Sequence, residues 1–221
     1  MTQNLSFIHR FEPATRPGAR PLLLLHGTGG NEDDLLPLGR TVAPGSALLA
    51  PRGKVLENGM PRFFRRLAEG IFDEDDVRRR AHELADFIEE ARSSYGIVAP
   101  IALGYSNGAN IAAAVLLLRP ESLAGAVLLR AIAPLKHSPA AALAGKPVLI
   151  LAGERDPIAP VAGADRLAST LEQAGAQVEQ RTVRAGHELS QSDITIAQRW
   201  LEAVEAGAPA AFTAEDQPVS R

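Results

Sequence analysis

The segment Gly104–Gly108, which reads GYSNG, sets a serine between two glycines. The apolar run PIALGYS leads into it and the run ANIAAAVLLL follows, so a strand is expected to turn sharply into a helix at Ser106. Such a turn strains the backbone of its central residue, and side chains two positions away would collide there. The glycines relieve this crowding and leave the Ser106 hydroxyl exposed. The pattern favours a nucleophilic serine, although five residues alone are also compatible with an ordinary turn serine.

A nucleophilic serine needs a base and a carboxylate that orients the base. Of the five histidines, His187 is the best candidate because it lies between the last strand-like run and the last helix-like run, in VRAGHELS. Asp156, in LILAGERDPIAP, directly follows another strand-like run and is the predicted partner of His187. Glu154 is the alternative carboxylate. His26, at the end of LLLLHG, is expected to pack and to shape its loop.

The oxyanion that forms when a serine attacks a carbonyl needs two N–H donors. The backbone N–H of Asn107 opens the predicted helix after Ser106 and is one predicted donor. Thr28 is the other, through its backbone, because the glycines of HGTGGNEDD let that loop approach a substrate closely. A phosphate-binding loop is the alternative, but this loop matches neither common phosphate-binding pattern and its acidic residues would repel phosphate.

These candidates follow short apolar runs that alternate with helix-like segments. The runs predict buried strands at residues 21–27, 46–53, 100–106, 125–131 and 147–154, an edge strand at 177–186 and an N-terminal antiparallel strand at 5–12. Helical spacing predicts helices at residues 74–94, 107–118 and 160–174 and from 190 onward. This alternation indicates an α/β fold with a mostly parallel sheet and helices on both faces, in which ligands bind beyond the carboxyl ends of the strands.

The longest predicted helix starts with a dense cluster of charge, DEDDVRRR. Its acidic residues lie where the helix dipole favours negative charge. Each of the acidic residues 74–76 also precedes an arginine by four positions, as in the Asp75–Arg79 pair, which suits ion pairing along a helix. The cluster is therefore interpreted as a helix start and not as a binding patch.

The composition of the 221 residues narrows the class of protein. Hydrophobic residues make up 46% of the chain, and the net charge of -3 argues against a nucleic-acid partner. No apolar run approaches the length of a membrane span, the N-terminus lacks the apolar core of a secretory signal, and the absence of cysteine excludes disulfides and a thiol nucleophile. We expect a cytoplasmic protein without a membrane partner, with one domain over residues 1–204 and a loosely ordered tail over 205–221.

Taken in order, the motifs LLLLHGTGGNEDDLLPL, PRG, GYSNGANIA, GERDPIAP and GHELS resemble those of the phospholipase/carboxylesterase family of α/β-hydrolases, which includes the acyl-protein thioesterases. The resemblance implies an α/β-hydrolase fold without a large cap domain. It also implies a triad of Ser106, Asp156 and His187 in that chain order. The backbone N–H groups of Thr28 and Asn107 would form the oxyanion hole. No cofactor and no metal are expected.

The resemblance covers about residues 20–202, with two departures from the thioesterase branch. Asn107 stands where those enzymes usually have glutamine, and RFFRR replaces a tryptophan-containing stretch. The surrounding loop is similar to that of the bacterial carboxylesterase branch. Phe63 and Phe64 are predicted to line the acyl or alcohol pocket, and Arg65 is a candidate for attracting a substrate carboxylate.

These inferences predict a serine carboxylesterase, monomeric or homodimeric, that hydrolyses short-chain or small soluble carboxylic esters through an acyl-enzyme. A lysophospholipase or an acyl-protein thioesterase is the alternative within the family. The alternative from another class is a non-catalytic ligand sensor on a hydrolase fold, and a dienelactone-hydrolase-like enzyme lacks its usual cysteine here. His137, in APLKHSP, is a further candidate for substrate contact because its loop could approach the strand ends.

Overall fold

The computed structural model describes residues 5–136 and 143–207. In chain order the described elements are β1 (His9–Glu12), β2 (Leu22–Leu25), α1 (Leu36–Val42), β3 (Leu48–Pro51), β4 (Val55–Glu57), β5 (Met60–Arg62), β6 (Arg66–Ala68), β7 (Ile71–Phe72), α2 (Glu74–Tyr95), β8 (Ile101–Tyr105), α3 (Asn107–Leu118), a 3-10 turn (Pro120–Ser122), β9 (Gly125–Leu129), β10 (Pro147–Gly153), α4 (Val161–Gln173), β11 (Gln177–Val183) and α5 (Gln191–Glu205). None of the helices in this part of the chain is both long and apolar enough to cross a bilayer.

Seven strands form the central sheet in the order β1-β3-β2-β8-β9-β10-β11. All neighbours run parallel except β1 and β3, which are antiparallel. The predicted α/β fold with a mostly parallel sheet is confirmed, as are the edge strand β11 and the antiparallel first strand. The order of the strands reverses between β2 and β8, and such a switch point opens a crevice at the carboxyl ends of the strands.

Helices cover both faces of the sheet. Successive side chains of a strand point to opposite sides, so the apolar side chains on each face need a layer of helices to bury them. The four leucines of β2 show this division and are at most 1% exposed. Leu23 and Leu25 pack in one core cluster with buried residues of α2, α3 and α4. Leu22 and Leu24 belong to a second cluster with residues of α1 and α5. Burial on both faces explains why these strands read as uninterrupted apolar runs.

The charged start of α2 is a helix cap, as the sequence indicates. The side chain of Asp73 accepts a hydrogen bond from the backbone N–H of Asp76, and the helix ends at Tyr95, followed by the capping Gly96 with a left-handed φ of 66°. Arg79 contacts Asp76, three positions before it in the chain, whereas the sequence predicts a pair with Asp75. Asp76 is buried, and its Oδ1 also lies 3.4 Å from Arg80 Nε, so one carboxylate pairs with both arginines.

Two short hairpins, β4–β5 and β6–β7, fill the segment between β3 and α2. Their strands have two or three residues each, too few for an alternating pattern to be recognised in the sequence. The turn of the first hairpin carries a recognisable signal, Asn58-Gly59, whose positive φ angles of 51° and 82° suit a tight hairpin turn. The hairpins form no large cap over the carboxyl ends of the strands.

Candidate active site

Ser106 occupies the sharp turn between β8 and α3. Its φ of 53° and ψ of -114° are unfavourable for a residue with a side chain, and such strain concentrates at functional sites. The flanking glycines make the turn possible. A Cβ on Gly104 would lie 2.5 Å from the carbonyl oxygen of Gly108, and one on Gly108 would overlap the carbonyl oxygen of Leu25. The G-x-S-x-G spacing therefore answers a steric requirement of this turn.

Ser106, His187 and Asp156 form a hydrogen-bonded series across three strand ends. His187 Nε2 lies 3.0 Å from Ser106 Oγ, and His187 Nδ1 lies 2.8 Å from Asp156 Oδ2. Because a carboxylate only accepts, Nδ1 carries the proton and donates to Asp156, which leaves Nε2 to accept the serine hydroxyl. The arrangement can remove a proton from the serine and stabilise the imidazolium that results.

Asp156 is held rigidly by its own loop. Its Oδ1 accepts hydrogen bonds from the backbone N–H groups of Ile158 at 2.8 Å and Ala159 at 2.9 Å, so its Oδ2 is directed at His187. The Asp156 side chain is fully buried, whereas the His187 side chain is 18% exposed. Glu154, the alternative carboxylate, is exposed on the surface.

His26 has a structural role. Its Nε2 accepts the backbone N–H of Gly53 at 3.0 Å, so its Nδ1 donates to the carbonyl oxygen of Gly27 at 2.7 Å. The ring packs against Phe63, with 4.7 Å between ring centroids. Burial lowers the pKa of His26 and keeps the ring neutral. These contacts join the loop after β2 to the segment after β3, as expected of a histidine that shapes its loop.

Thr28 and Asn107 both lie on the wall of the cleft that contains Ser106. Asn107 is the first residue of α3, where backbone N–H groups have no acceptor within the helix. Its side-chain Oδ1 accepts the backbone N–H of Phe63 at 2.7 Å, and its buried Nδ2 has no hydrogen-bond partner among the described atoms. Thr28 Oγ1 accepts a hydrogen bond from Arg62 Nη1 at 2.7 Å, which fixes the loop after β2 beside the serine.

The cleft around Ser106 is small, with a cavity of ≈ 40 Å³. Its apolar wall includes Phe72, Ile132 and Ile158. A larger cavity of ≈ 560 Å³ lies at the opposite end of the strands, where Leu22 and Ile101 contribute to its wall, and it contains none of the candidate residues. The small cleft is the candidate active site because Ser106 and His187 lie at hydrogen-bond distance within it, and volume alone does not define an active site.

Phe63, Phe64 and Arg65 do not border this cleft, which corrects their predicted place at the pocket wall. The two phenylalanine side chains are 3% and 0% exposed and belong to the core cluster formed with α2 and α3. Arg65 points to solvent and pairs with Asp73, with 2.9 Å between Nε and Oδ2. The rings turn inward because burying aromatic surface stabilises the fold more than lining a wet cleft would.

Arg62 and Arg66 lie at the cleft wall, where the sequence predicts Phe63 and Phe64. Both line the cleft, and both contact the carboxylate of Glu57, at 3.0 Å and 2.9 Å. The segment RFFRR does not alternate between apolar and charged residues, so its pattern gives no signal for this division. His137 and residues 208–221 of the predicted tail lie outside the described residues.

The sheet, its switch point and the hydrogen-bonded series at the strand ends define an α/β-hydrolase-type protein. Residues 9–205 match the family described as Phospholipase/Carboxylesterase, and the chain belongs to that family. The predicted resemblance is thereby confirmed.

Three relatives illustrate the similarity. The protein named “Putative hydrolase MhqD” of Bacillus subtilis (strain 168) is 46% identical over 198 residues, which cover 88% of this chain and 97% of that protein. The crystal structure of the Bacillus cereus carboxylesterase is 46% identical with a TM-score of 0.87, covering 90% of this chain and 95% of that chain. A carboxylesterase structure from Mesorhizobium loti is 34% identical with a TM-score of 0.86, covering 90% and 96%. These relatives support a hydrolase.

Proposed function

We propose that the chain is a serine carboxylesterase that hydrolyses small carboxylic esters through an acyl-enzyme. The observation that carries the proposal is the pair of hydrogen bonds of His187, 3.0 Å to Ser106 and 2.8 Å to Asp156, at the strained turn of the serine. The carboxylesterases among the relatives agree with this chemistry. The ≈ 40 Å³ cavity favours a short acyl group over a long one.

The geometry supports a reaction in two halves. His187 Nε2 takes the proton of the Ser106 hydroxyl while Oγ attacks the ester carbonyl, and Asp156 stabilises the imidazolium. The N–H groups of Thr28 and Asn107 stabilise the oxyanion of the tetrahedral intermediate. As the intermediate collapses, the alcohol leaves with the proton from His187. A water molecule, deprotonated by the same nitrogen, then attacks the acyl-serine and releases the carboxylic acid.

The direct test is to label the purified protein with a fluorophosphonate probe and to map the modified peptide. We expect the label on Ser106, and we expect Ser106→Ala to lose both the label and the hydrolysis of p-nitrophenyl acetate, with a fall in turnover of at least about 10⁴-fold. The melting temperature should stay within a few degrees, because the hydroxyl serves chemistry and not packing.

The matched control is Ser93→Ala, which changes an exposed serine on α2 and should leave labelling and turnover unchanged. A folded wild-type protein that takes no label and hydrolyses no ester in a broad panel would contradict the proposal and favour the non-catalytic ligand sensor. Substantial turnover in Ser106→Ala would show that another residue is the nucleophile.

A further inference from the structure

Arg130 is a buried charged residue that the proposed chemistry does not use. It directly follows β9, has a left-handed φ of 57° and is 1% exposed. Both its backbone conformation and the burial of its guanidinium group cost free energy. Such features persist only where the surrounding structure holds them in place.

All five N–H groups of the Arg130 guanidinium donate hydrogen bonds. Nη1 and Nη2 bind the two carboxylate oxygens of Asp193 at 2.7 Å and 2.8 Å. The remaining Nη1 proton reaches the carbonyl oxygen of Leu151 at 3.2 Å. Nε donates to the carbonyl oxygen of Gly186 at 2.9 Å, and the remaining Nη2 proton donates to that of Glu188 at 3.0 Å. The last two bonds fall on the residues immediately before and after His187.

The carbonyl of His187 itself is also held. It accepts the hydroxyl of Tyr105 at 3.1 Å, so three consecutive carbonyl groups of the loop between β11 and α5 have buried or half-buried donors. Asp193 extends the same network to the start of α5, because its Oδ2 also accepts the backbone N–H and the hydroxyl of Ser190 at 2.7 Å each.

The neighbouring strand leaves room for this arrangement. A Cβ on Gly153 would lie 3.1 Å from Arg130 Nε and would overlap the carbonyl oxygen of Gly186. The end of β10 therefore has no side chain at the point where the guanidinium group meets the loop. A lysine could not replace the arginine here, because an ammonium group offers three donors and lacks the planar fork.

We propose that Arg130, paired with Asp193, is a positioning residue for His187. It holds the peptide groups on both sides of the histidine and thereby keeps Nε2 at hydrogen-bond distance from the Ser106 hydroxyl. The inference rests on the proposed esterase function and adds to it the group that fixes the base. A displacement of about 1 Å at a reacting group can lower turnover by about 10²-fold, which sets the size of the effect.

The test compares Arg130→Lys with wild-type protein in steady-state hydrolysis of p-nitrophenyl acetate, well below both melting temperatures. We expect kcat to fall by about 10–100-fold while KM changes by less than about threefold, because Arg130 borders the cleft but is only 1% exposed, so the substitution misplaces the base and changes little of the cleft surface. The rate of fluorophosphonate labelling at Ser106 should fall in parallel. A purely structural arginine would lower the melting temperature without moving kcat.

Leu171→Ala is the matched control, since it removes a buried side chain of α4 in the core cluster on the α2–α4 side of the sheet. It should lower stability and leave kcat within about twofold of wild type. If Arg130→Lys does not fold, the double variant Arg130→Met with Asp193→Leu decides the matter, because replacing both partners leaves no unpaired buried charge.

Three results would overturn the inference: a folded Arg130 variant with wild-type kcat, an equal fall of kcat in Leu171→Ala, or failure of both Arg130 variants to fold. The last result would show that Arg130 is needed for the chain to fold, and it would give no support to a role in positioning the loop that carries His187. A wild-type protein without esterase activity or label would instead contradict the proposed function, so the two failures can be told apart.

Discussion

At the scale of single residues, His26 and His187 both follow strand ends but have different surroundings. The ring of His26 is buried, and its Nε2 is occupied by the N–H of Gly53. The ring of His187 is partly exposed, and its Nε2 faces the hydroxyl of Ser106. Burial thus removes one histidine from acid–base chemistry and leaves the other available for it.

His26 should titrate below the usual histidine value of about 6.5, because burial lowers its pKa. The unfolded chain then binds more protons than the folded one, so the free energy of unfolding should fall as the pH drops below about 6.5. The contribution is at most about 1.4 kcal/mol per pH unit. Proton NMR of the ring and urea unfolding between pH 8 and pH 5 measure both effects.

The control for this prediction is His26→Gln, which keeps polar atoms at the site but does not titrate. Its free energy of unfolding should depend less steeply on pH than that of wild type over the same range. Equal slopes for the two proteins, or a His26 ring that titrates at or above 6.5, would contradict the prediction.

At the scale of elements, Asp76 joins α2 to the segment that lines the cleft. Its carboxylate accepts the backbone N–H of Arg65 at 2.8 Å and contacts the side chains of Arg79 and Arg80. Burial acts to raise the pKa of Asp76, but the hydrogen bonds from Arg79 and from the Arg65 backbone outweigh it, so the pKa lies below its usual value. The ionised carboxylate of Asp76 therefore ties the link between the two hairpins, at Arg65, to the first turn of α2.

Replacing Asp76 by Asn should lower the free energy of unfolding at pH 7 by about 1–3 kcal/mol, because an amide offers one acceptor where the carboxylate offers two. A lowered pKa stabilises the fold above the unfolded value of about 3.9 and loses this effect as the pH falls through the folded value. The difference between wild type and Asp76→Asn should therefore shrink toward pH 3. Urea unfolding at both pH values measures it.

The adjacent Asp75→Asn is the matched control, since Asp75 is exposed on the same turn of α2. It should change the free energy of unfolding by no more than about 0.5 kcal/mol. Equal losses in the two variants would assign the effect to the negative charge at the helix start and not to the buried contacts of Asp76.

At the scale of the whole molecule, residues 5–136 and 143–207 place no large cap above the cleft at the strand ends, and the cavity of the cleft is small. The rate kcat/KM should therefore be highest for acyl groups of a few carbons and should fall for long ones. A long apolar channel would instead add up to about 0.8 kcal/mol of binding for each buried methylene. A series of p-nitrophenyl esters from two to sixteen carbons, below micelle formation, separates these outcomes.

The exposed Leu67 on β6 allows a test of whether the β6–β7 hairpin binds long acyl chains. It lies on the same hairpin as Arg66 and Phe72, which line the cleft wall. Leu67→Ser should leave the short-chain rates unchanged. Val98→Ser, at an exposed site outside the cleft lining, is the control. A maximum at sixteen carbons that only Leu67→Ser removes would favour the lysophospholipase or thioesterase alternative.

The sheet could be predicted from the sequence because strands buried on both faces read as apolar runs, and three of these runs end at or beside Thr28, Ser106 and Asp156. The side chains of RFFRR could not be assigned in this way, since the division between the buried Phe64 and the cleft-lining Arg66 depends on contacts with α2 and Glu57. Arg130 carries no local signal either. Its partners lie 21 to 63 positions away in the chain and meet it only in the folded sheet.

Ser106 and His187 are 81 positions apart in the chain, and His187 and Asp156 are 31 positions apart. Contacts of this separation form late, because the intervening chain must lose its freedom before they contribute. A growing or half-folded polypeptide therefore contains an ordinary hydroxyl, no more reactive than any other serine. If Ser106 is the nucleophile that we propose, we expect its reactivity to arise only when the sheet is complete, so that an unfinished chain neither becomes acylated at this serine nor hydrolyses esters.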